Sequence, residues 1–367
     1  MDDWSDNSHG WRVSLLMARR QRYLDDDGQA AVAAWLENRL PGFGEVTVAE
    51  LEQSAGNSHQ LFTVTRETGR WVMRVAPSGR EYSADGGFDL HHEWRVLNAI
   101  SNSAIPHAKA VIVSDSSCPV DNAILVIEYV DGHVLYGQLP DEYASVDDAR
   151  QIVNSIVDTL ATISRFAWAS ADIASPGIDA DTYLERQCTK GRRILESSRT
   201  RDTPLTDRLF DHLEQTMPAT STLGLIHGDY SPMNIMVHRG GNPSVAAVID
   251  WETGTVGDVL IDIGYLTARW VRPDENPLLA TFALGGGNAD HHRLLPDKGY
   301  VAQRFSDVSG LSVDSLPYYQ GFAMARLAVA IEPRVARAAR RDDEQTAALF
   351  GAMVDTCAQH GLALAGA

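Results

Sequence analysis

His227-Gly228-Asp229-Tyr230-Ser231-Pro232-Met233-Asn234, followed by Val248-Ile249-Asp250-Trp251-Glu252, holds the densest polar chemistry in the chain. Each cluster abuts a short apolar run that reads as a strand: Leu223 to Ile226, Asn234 to Val237, and Val245 to Ile249. Asp229 then leaves a loop after one strand, Asn234 opens the next, and Asp250 ends a third. Adjacent pairing of these strands brings three oxygen donors to one rim. Carboxylate and amide oxygen are the ligands that Mg²⁺ prefers, together with phosphate.

H-G-D-x-x-x-x-N followed by I-D-W-E resembles the aminoglycoside phosphotransferase family, relatives of the protein kinases. The kinase catalytic loop has H-R-D, an Asn five residues after the Asp, and a metal-binding Asp further on. The resemblance implies an α+β, bilobal protein-kinase-like fold: a small N-lobe of antiparallel sheet plus one helix, and a larger, mainly helical C-lobe. It also implies ATP, with GTP as the alternative, and Mg²⁺ as cofactors, with the nucleotide between the lobes and a small-molecule hydroxyl as acceptor. By position, Asp229 orients or deprotonates that hydroxyl, while Asn234 and Asp250 hold Mg²⁺. His227 belongs to the catalytic loop as its brace and not as a base. Gly257-Asp258-Val259-Leu260-Ile261-Asp262 stands where the family has G-D-P-x-x-D, with Val259 for the Pro. Asp258 and Asp262 are expected to cap and pin a helix through backbone N–H groups.

Working outward, residues 1–45 read as a helical lead-in with apolar Leu15, Leu16, Leu36 and Leu40, ended by Pro41-Gly42. Residues 46–130 read as the N-lobe. Val46 to Leu51, Gln60 to Thr65 and Trp71 to Val75 form three antiparallel strands, Leu90 to Ile100 a helix, and 111–113 and 123–130 two more strands. Ser54, Gly56, Asn57 and Ser58 fall where the family sets a loop over the nucleotide phosphates; taken alone, with one glycine, they read as an ordinary hairpin turn, and the downstream motifs are what favour the phosphate loop. The strand that carries Lys in kinases has Arg74, whose planar fork can still grip phosphates and pair with Glu93. Strand alternation leaves open which face Arg74 takes. Some relatives, resembling the kinase-like domain attached to certain acyl-CoA dehydrogenases, have Arg there. Glu128, Tyr129 and Val130 take the place of the hinge that offers backbone groups to adenine.

Residues 131–367 read as the C-lobe, which carries catalysis and the acceptor site. Ser145 caps a long helix with Ile152, Ile156, Leu160 and Ile163 on its apolar stripe. Helical patterns return from Asp181 to Met217 and from Tyr318 onward, and Tyr318 to Leu327 is similar to a family helix that packs under the catalytic loop. Gly285-Gly286-Gly287 reads as a loop.

The formal charge of −18 argues against nucleic acid and suits either a cationic acceptor or plain solubility. Cys118, Cys188 and Cys357 lie far apart without a C-x-x-C, which fits a reducing cytoplasm. No secretory signal and no membrane span is expected. His91-His92 and His291-His292 read as surface or core pairs before metal ligands. A hydroxyacyl-CoA acceptor is the alternative, and it requires a basic patch for which Arg192-Arg193, Arg199 and Arg201 are the candidates, solvated surface charge being the plainer reading of them. The rival readings are a nucleotide-binding pseudokinase, a protein kinase lacking its A-P-E segment, and a metal hydrolase.

Overall fold

The computed structural model describes residues 23–51, 59–77, 89–135, 137–280, 283–286 and 288–367. Leu15, Leu16, Ser54, Gly56, Asn57, Ser58 and Gly287 lie outside the described residues. The chain divides into two compact units. The first runs to Asn98 and resumes from Ala108 to Tyr129; the second takes Ala99–His107 and Val130–Ala367.

In the first unit, helix α1 (Asp26–Glu37) is capped by Asp25, whose Oδ1 accepts from Gly28 N at 2.8 Å. Strands β1 (Thr47–Glu50), β2 (Gln60–Arg66), β3 (Gly69–Val75), β4 (Ala110–Val113) and β5 (Ile124–Glu128) form an antiparallel sheet of order β1-β2-β3-β5-β4. Alternation along β3 sends Trp71, Met73 and Val75 into a core with Phe62, Val64, Ile124 and Val126. Val32, Leu36 and Leu40 join that core, so the described part of the lead-in packs as an integral piece of this unit. Each such fully buried side chain contributes about 1.5–3 kcal/mol. Helix α2 (Leu90–Ile100) carries Glu93.

In the second unit, Ser145 Oγ accepts from Asp148 N at 3.1 Å and starts helix α3 (Val146–Ser164), whose Ile152, Ile156, Leu160 and Ile163 are all buried. Helices α4 (Tyr183–Ser197) and α5 (Pro204–Gln215) follow, then strand β7 (Leu223–Ile226). The expected adjacency of the three strands holds for the second and third, which pair with each other, and is corrected for the first. β7 pairs with β10 (Thr255–Asp258), a strand absent from the sequence reading. β8 (Ile235–His238) instead lies between β9 (Val245–Val248) and β6 (Gly132–Val134). The physical reason is the connection 227–234, which turns at Gly228 (φ 81°) and through a 3₁₀ turn at Pro232–Asn234, and so leaves one small sheet for another.

Helix α6 (Leu260–Ala268) follows β10, and further on α7 (Lys298–Ser309) is tied to α3 by Arg304, which gives Asp158 two hydrogen bonds of 2.9 and 2.7 Å. Helices α8 (Leu316–Ala339) and α9 (Glu344–Ala365) complete the unit. Its core gathers Tyr319 and Phe322 of α8, Leu209 and Phe210 of α5, Ile226 of β7 and Ile261 of α6. The end of β7, where the polar loop begins, is therefore anchored in packed apolar surface. Among the described residues, no helix is long and apolar enough to cross a membrane.

Candidate active site

The loop 227–234 is held from below by buried groups. Asp262, on α6 and almost fully buried, accepts from His227 N at 2.6 Å and from Gly228 N at 2.9 Å, one backbone donor for each carboxylate oxygen. Burial pushes its carboxyl above the usual range; the two backbone donors and the Arg326 guanidinium pull the other way. From α8, Arg326 donates to Gly228 O at 3.0 Å, and Thr253 Oγ1 donates to His227 O at 2.8 Å. Asp258 accepts from Leu260 N at 3.1 Å and from the Tyr319 hydroxyl at 2.6 Å. The two aspartates are thus architectural, but Asp262 pins the loop and not its own helix.

His227 is fully buried. Its Nδ1 accepts from Asp229 N at 3.3 Å, so the proton sits on Nε2, which donates to Ile249 O at 2.9 Å. With its ring 4.7 Å from that of Trp251, it braces the loop and has no nitrogen left for substrate. Tyr230, also buried, donates to Ile156 O at 2.7 Å.

Gly228 is required sterically. A Cβ there would lie 2.9 Å from Thr253 O, and the residue has positive φ. Gly228→Ala is expected to cost about 1–3 kcal/mol of unfolding free energy, readable by urea denaturation. An unchanged midpoint would contradict this account of the loop.

The loop presents Asp229, whose side chain is 42% exposed. Asn234 Nδ2 donates to Asp229 O at 2.9 Å and to Asp229 Oδ2 at 3.0 Å. Both acceptors lie on Asp229, which fixes the amide orientation and turns Asn234 Oδ1, a hard oxygen donor, away from it. Ile249 N donates to Asn234 O at 2.9 Å, so Asn234 and Ile249-Asp250 share one end of the β8–β9 pair. Asp250 itself is half-buried in the left-handed region (φ 67°, ψ 59°), where Asp is among the few non-glycine residues regularly found. The backbone joins Asn234 to Asp250 through this extension of the β8–β9 pairing, and Asp229 to Ile249-Asp250 through His227, not through a pairing of β7 with β8.

An amide oxygen and a carboxylate fit Mg²⁺. That ion characteristically takes one or two protein oxygens and completes its shell with phosphate and water. Among the described residues, no group of three or more His, Cys, Asp and Glu stands ready to hold a metal without a ligand.

Two residues beside Asp229 escaped the sequence reading. Arg269, largely buried, has Nη1 3.9 Å from Asp229 Oδ1 and donates to the Tyr265 hydroxyl at 3.1 Å. Tyr265 is buried, and burial first, then the Asp229 charge, pushes its phenol up, so it stays a donor at neutral pH. The only available signal was an arginine directly after an apolar helix. Arg326 was hidden inside a stretch whose pattern announced core packing.

In the first unit, Arg74 faces away from Trp71, Met73 and Val75 and meets Glu93 at 2.6 Å, both side chains buried. That settles the face left open by alternation. Glu128 is exposed, and its N–H is donated to Lys109 O at 2.9 Å, so it has none to offer a ligand. Arg70 lies 3.9 Å over the Tyr129 ring, and Val130 belongs to the second unit. The basic patch is corrected. Arg192 pairs with Asp211 and Glu214, Arg199 with Glu196 and Asp207, and Arg201 with Glu332 and Asp355.

Residues 50–296 match the model of the Phosphotransferase enzyme family, APH. Acyl-CoA dehydrogenase family member 11 of Pongo abelii is 24% identical over 344 residues, 91% of this chain and 42% of that protein. The chain therefore spans less than half the length of this curated relative. A Ralstonia eutropha protein provisionally named an aminoglycoside phosphotransferase superposes with a TM-score of 0.74 at 23% identity, covering 92% of this chain and 98% of that one. Aminoglycoside phosphotransferase APH(4)-Ia, solved as a mutant with AMP-PNP and hygromycin B, gives 0.57 at 17% identity over 90% and 98% of the two chains. The fold is the α+β fold of these phosphotransferases.

Proposed function

The chain belongs to the phosphotransferase enzyme family APH, and on that footing we propose that it moves the γ-phosphate of ATP, with GTP as the alternative donor, to a hydroxyl group of a small molecule. The observation that carries the proposal is the half-exposed Asp229 carboxylate on a loop whose backbone is fixed by buried Asp262, Arg326 and His227. A pure nucleotide-binding module has no use for a carboxylate held out in this manner.

In this reading, Asp229 accepts a hydrogen bond from the acceptor hydroxyl, aims its oxygen at the γ-phosphorus, and receives the proton as the new O–P bond forms. Asn234 orients Asp229 through its amide hydrogens. Asn234 Oδ1 and Asp250 are the groups that would hold Mg²⁺, which when bound neutralises phosphate charge. Arg74, held by Glu93, is the cation for the α- and β-phosphates, and the first unit is accordingly the nucleotide-phosphate unit.

Asp250→Ala is expected to weaken Mg²⁺-dependent nucleotide binding by about tenfold or more, about 1.4 kcal/mol, by calorimetry with and without the ion. Equal affinity in wild type and variant would remove Asp250 from the site.

A second reading of the acceptor, a hydroxyacyl-CoA, is favoured by the relative named as an acyl-CoA dehydrogenase family member. Arg269 beside Asp229 also suits a neutral or anionic acceptor better than an ammonium near the reacting hydroxyl. The testing experiment is ATP consumption across aminoglycosides, choline-like alcohols, sugars and hydroxyacyl-CoA compounds, with the product mass measured. A product heavier by one phosphoryl group supports the function; ATP hydrolysis without such a product in every case counts against it.

A further inference from the structure

A cation that grips phosphates must be aimed, and a guanidinium is harder to aim than an ammonium because its five N–H donors lie in one plane. Among the described residues, two acceptors divide the fork of Arg74. Nη1 donates to Glu93 Oε1 at 2.6 Å, and Nη2 donates to His59 Nδ1 at 3.0 Å. His59, Arg74 and Glu93 are 5%, 7% and 1% exposed, so both hydrogen bonds are shielded from water.

The chemistry fixes the state of His59. An arginine nitrogen only donates, so Nδ1 must accept, and the ring is neutral with its proton on Nε2. The two acceptors also come from different elements. Glu93 lies on α2, whereas His59 immediately precedes β2, the strand that pairs with β3 in the register Leu61 to Arg74. With a single acceptor the guanidinium could swing about the Glu93 contact; with two its plane is set.

We infer that His59 is a positioning residue for nucleotide binding: with Glu93 it fixes the guanidinium plane of Arg74, allowing an arginine to serve as the phosphate-gripping cation. This rests on the proposed nucleotide-dependent reading. It makes His59 and Arg74 an interdependent pair, since a lysine at position 74 carries a compact ammonium that satisfies Glu93 without the imidazole.

The test is a double-mutant cycle on full-length protein, with AMP-PNP plus Mg²⁺ as the probe and calorimetry as the readout. His59→Leu, which keeps bulk but removes the acceptor, is expected to weaken binding about tenfold, a loss worth ~1.4 kcal/mol. His59→Asn, whose amide oxygen can accept, should stay within about threefold of wild type. In an Arg74→Lys background, His59→Leu should change affinity by less than about twofold. With ATP and an active acceptor, KM should rise in His59→Leu while kcat moves little. If the leucine variant does not fold, as judged by its thermal transition, His59→Ala makes the same comparison.

Wild-type affinity in His59→Leu, or an equal loss in both backgrounds, would overturn the positioning role while leaving the nucleotide reading intact. Failure of the wild-type chain to bind AMP-PNP would instead overturn that reading, and the positioning role with it.

Discussion

Asp229→Ala is expected to lower phosphotransfer by about 10²–10⁴-fold, the range for loss of a positioned acid–base group. Nucleotide affinity should stay within about twofold of wild type. The separation follows from geometry. Asp229 is tied to Asn234 by amide hydrogens only, so Asn234 Oδ1 and Asp250 do not depend on its carboxylate for their oxygens. One bond from Asn234 goes to the backbone oxygen of Asp229 and survives the substitution. Asp229→Asn sharpens the test, because it keeps the shape but cannot take up a proton. If orientation were the whole contribution, the amide would recover much of the rate; if proton acceptance matters, it should resemble alanine. Single-turnover measurements with AMP-PNP binding as control distinguish these outcomes. Undiminished transfer in Asp229→Ala would end the assignment of this loop as catalytic.

The second large effect falls on a residue that never meets substrate. Asp262→Ala removes the acceptor of two buried backbone N–H groups, at His227 and Gly228, in one step. Each orphaned donor costs about 1–3 kcal/mol, so a loss of about 2–6 kcal/mol in unfolding free energy is expected by urea denaturation. That is a large share of the 5–15 kcal/mol that holds a typical domain together. Asp262→Asn should fall between, since its amide presents one oxygen to two donors. Turnover should fall as well, because the same bonds set the direction of Asp229. A variant as stable as wild type would show that Arg326, Thr253 and His227 hold the loop without it.

Legibility differed between the units for identifiable reasons. Strands β1 to β5 and helix α2 were readable because period-2 and period-3.6 patterns are local, and because Thr68-Gly69 marks a turn. Helix α3 was readable from Ser145 and its apolar stripe. Strand β10 was missed because Thr255–Asp258 is short and contains a glycine, so it becomes a strand only by pairing with β7. The pairing of β7 with β8 was wrongly expected, since proximity in sequence outweighs nothing when a left-handed glycine turns the chain out of the sheet.

The kinds of atom available for chemistry follow from residue identity and spacing: a carboxylate at Asp229, an amide five residues later, and a further carboxylate at Asp250. Spacing within one loop survives folding because few backbone torsions separate those groups. What surrounds Asp229 comes from elsewhere in the chain: Arg269 and Asp262 more than 30 residues on, and Arg326 nearly 100. Such contacts depend on how packed helices bring distant backbone together, and no local periodicity encodes that. The buried meeting of His59, Arg74 and Glu93 is of the same kind, two sequence neighbourhoods and a helix joined by a shared charge.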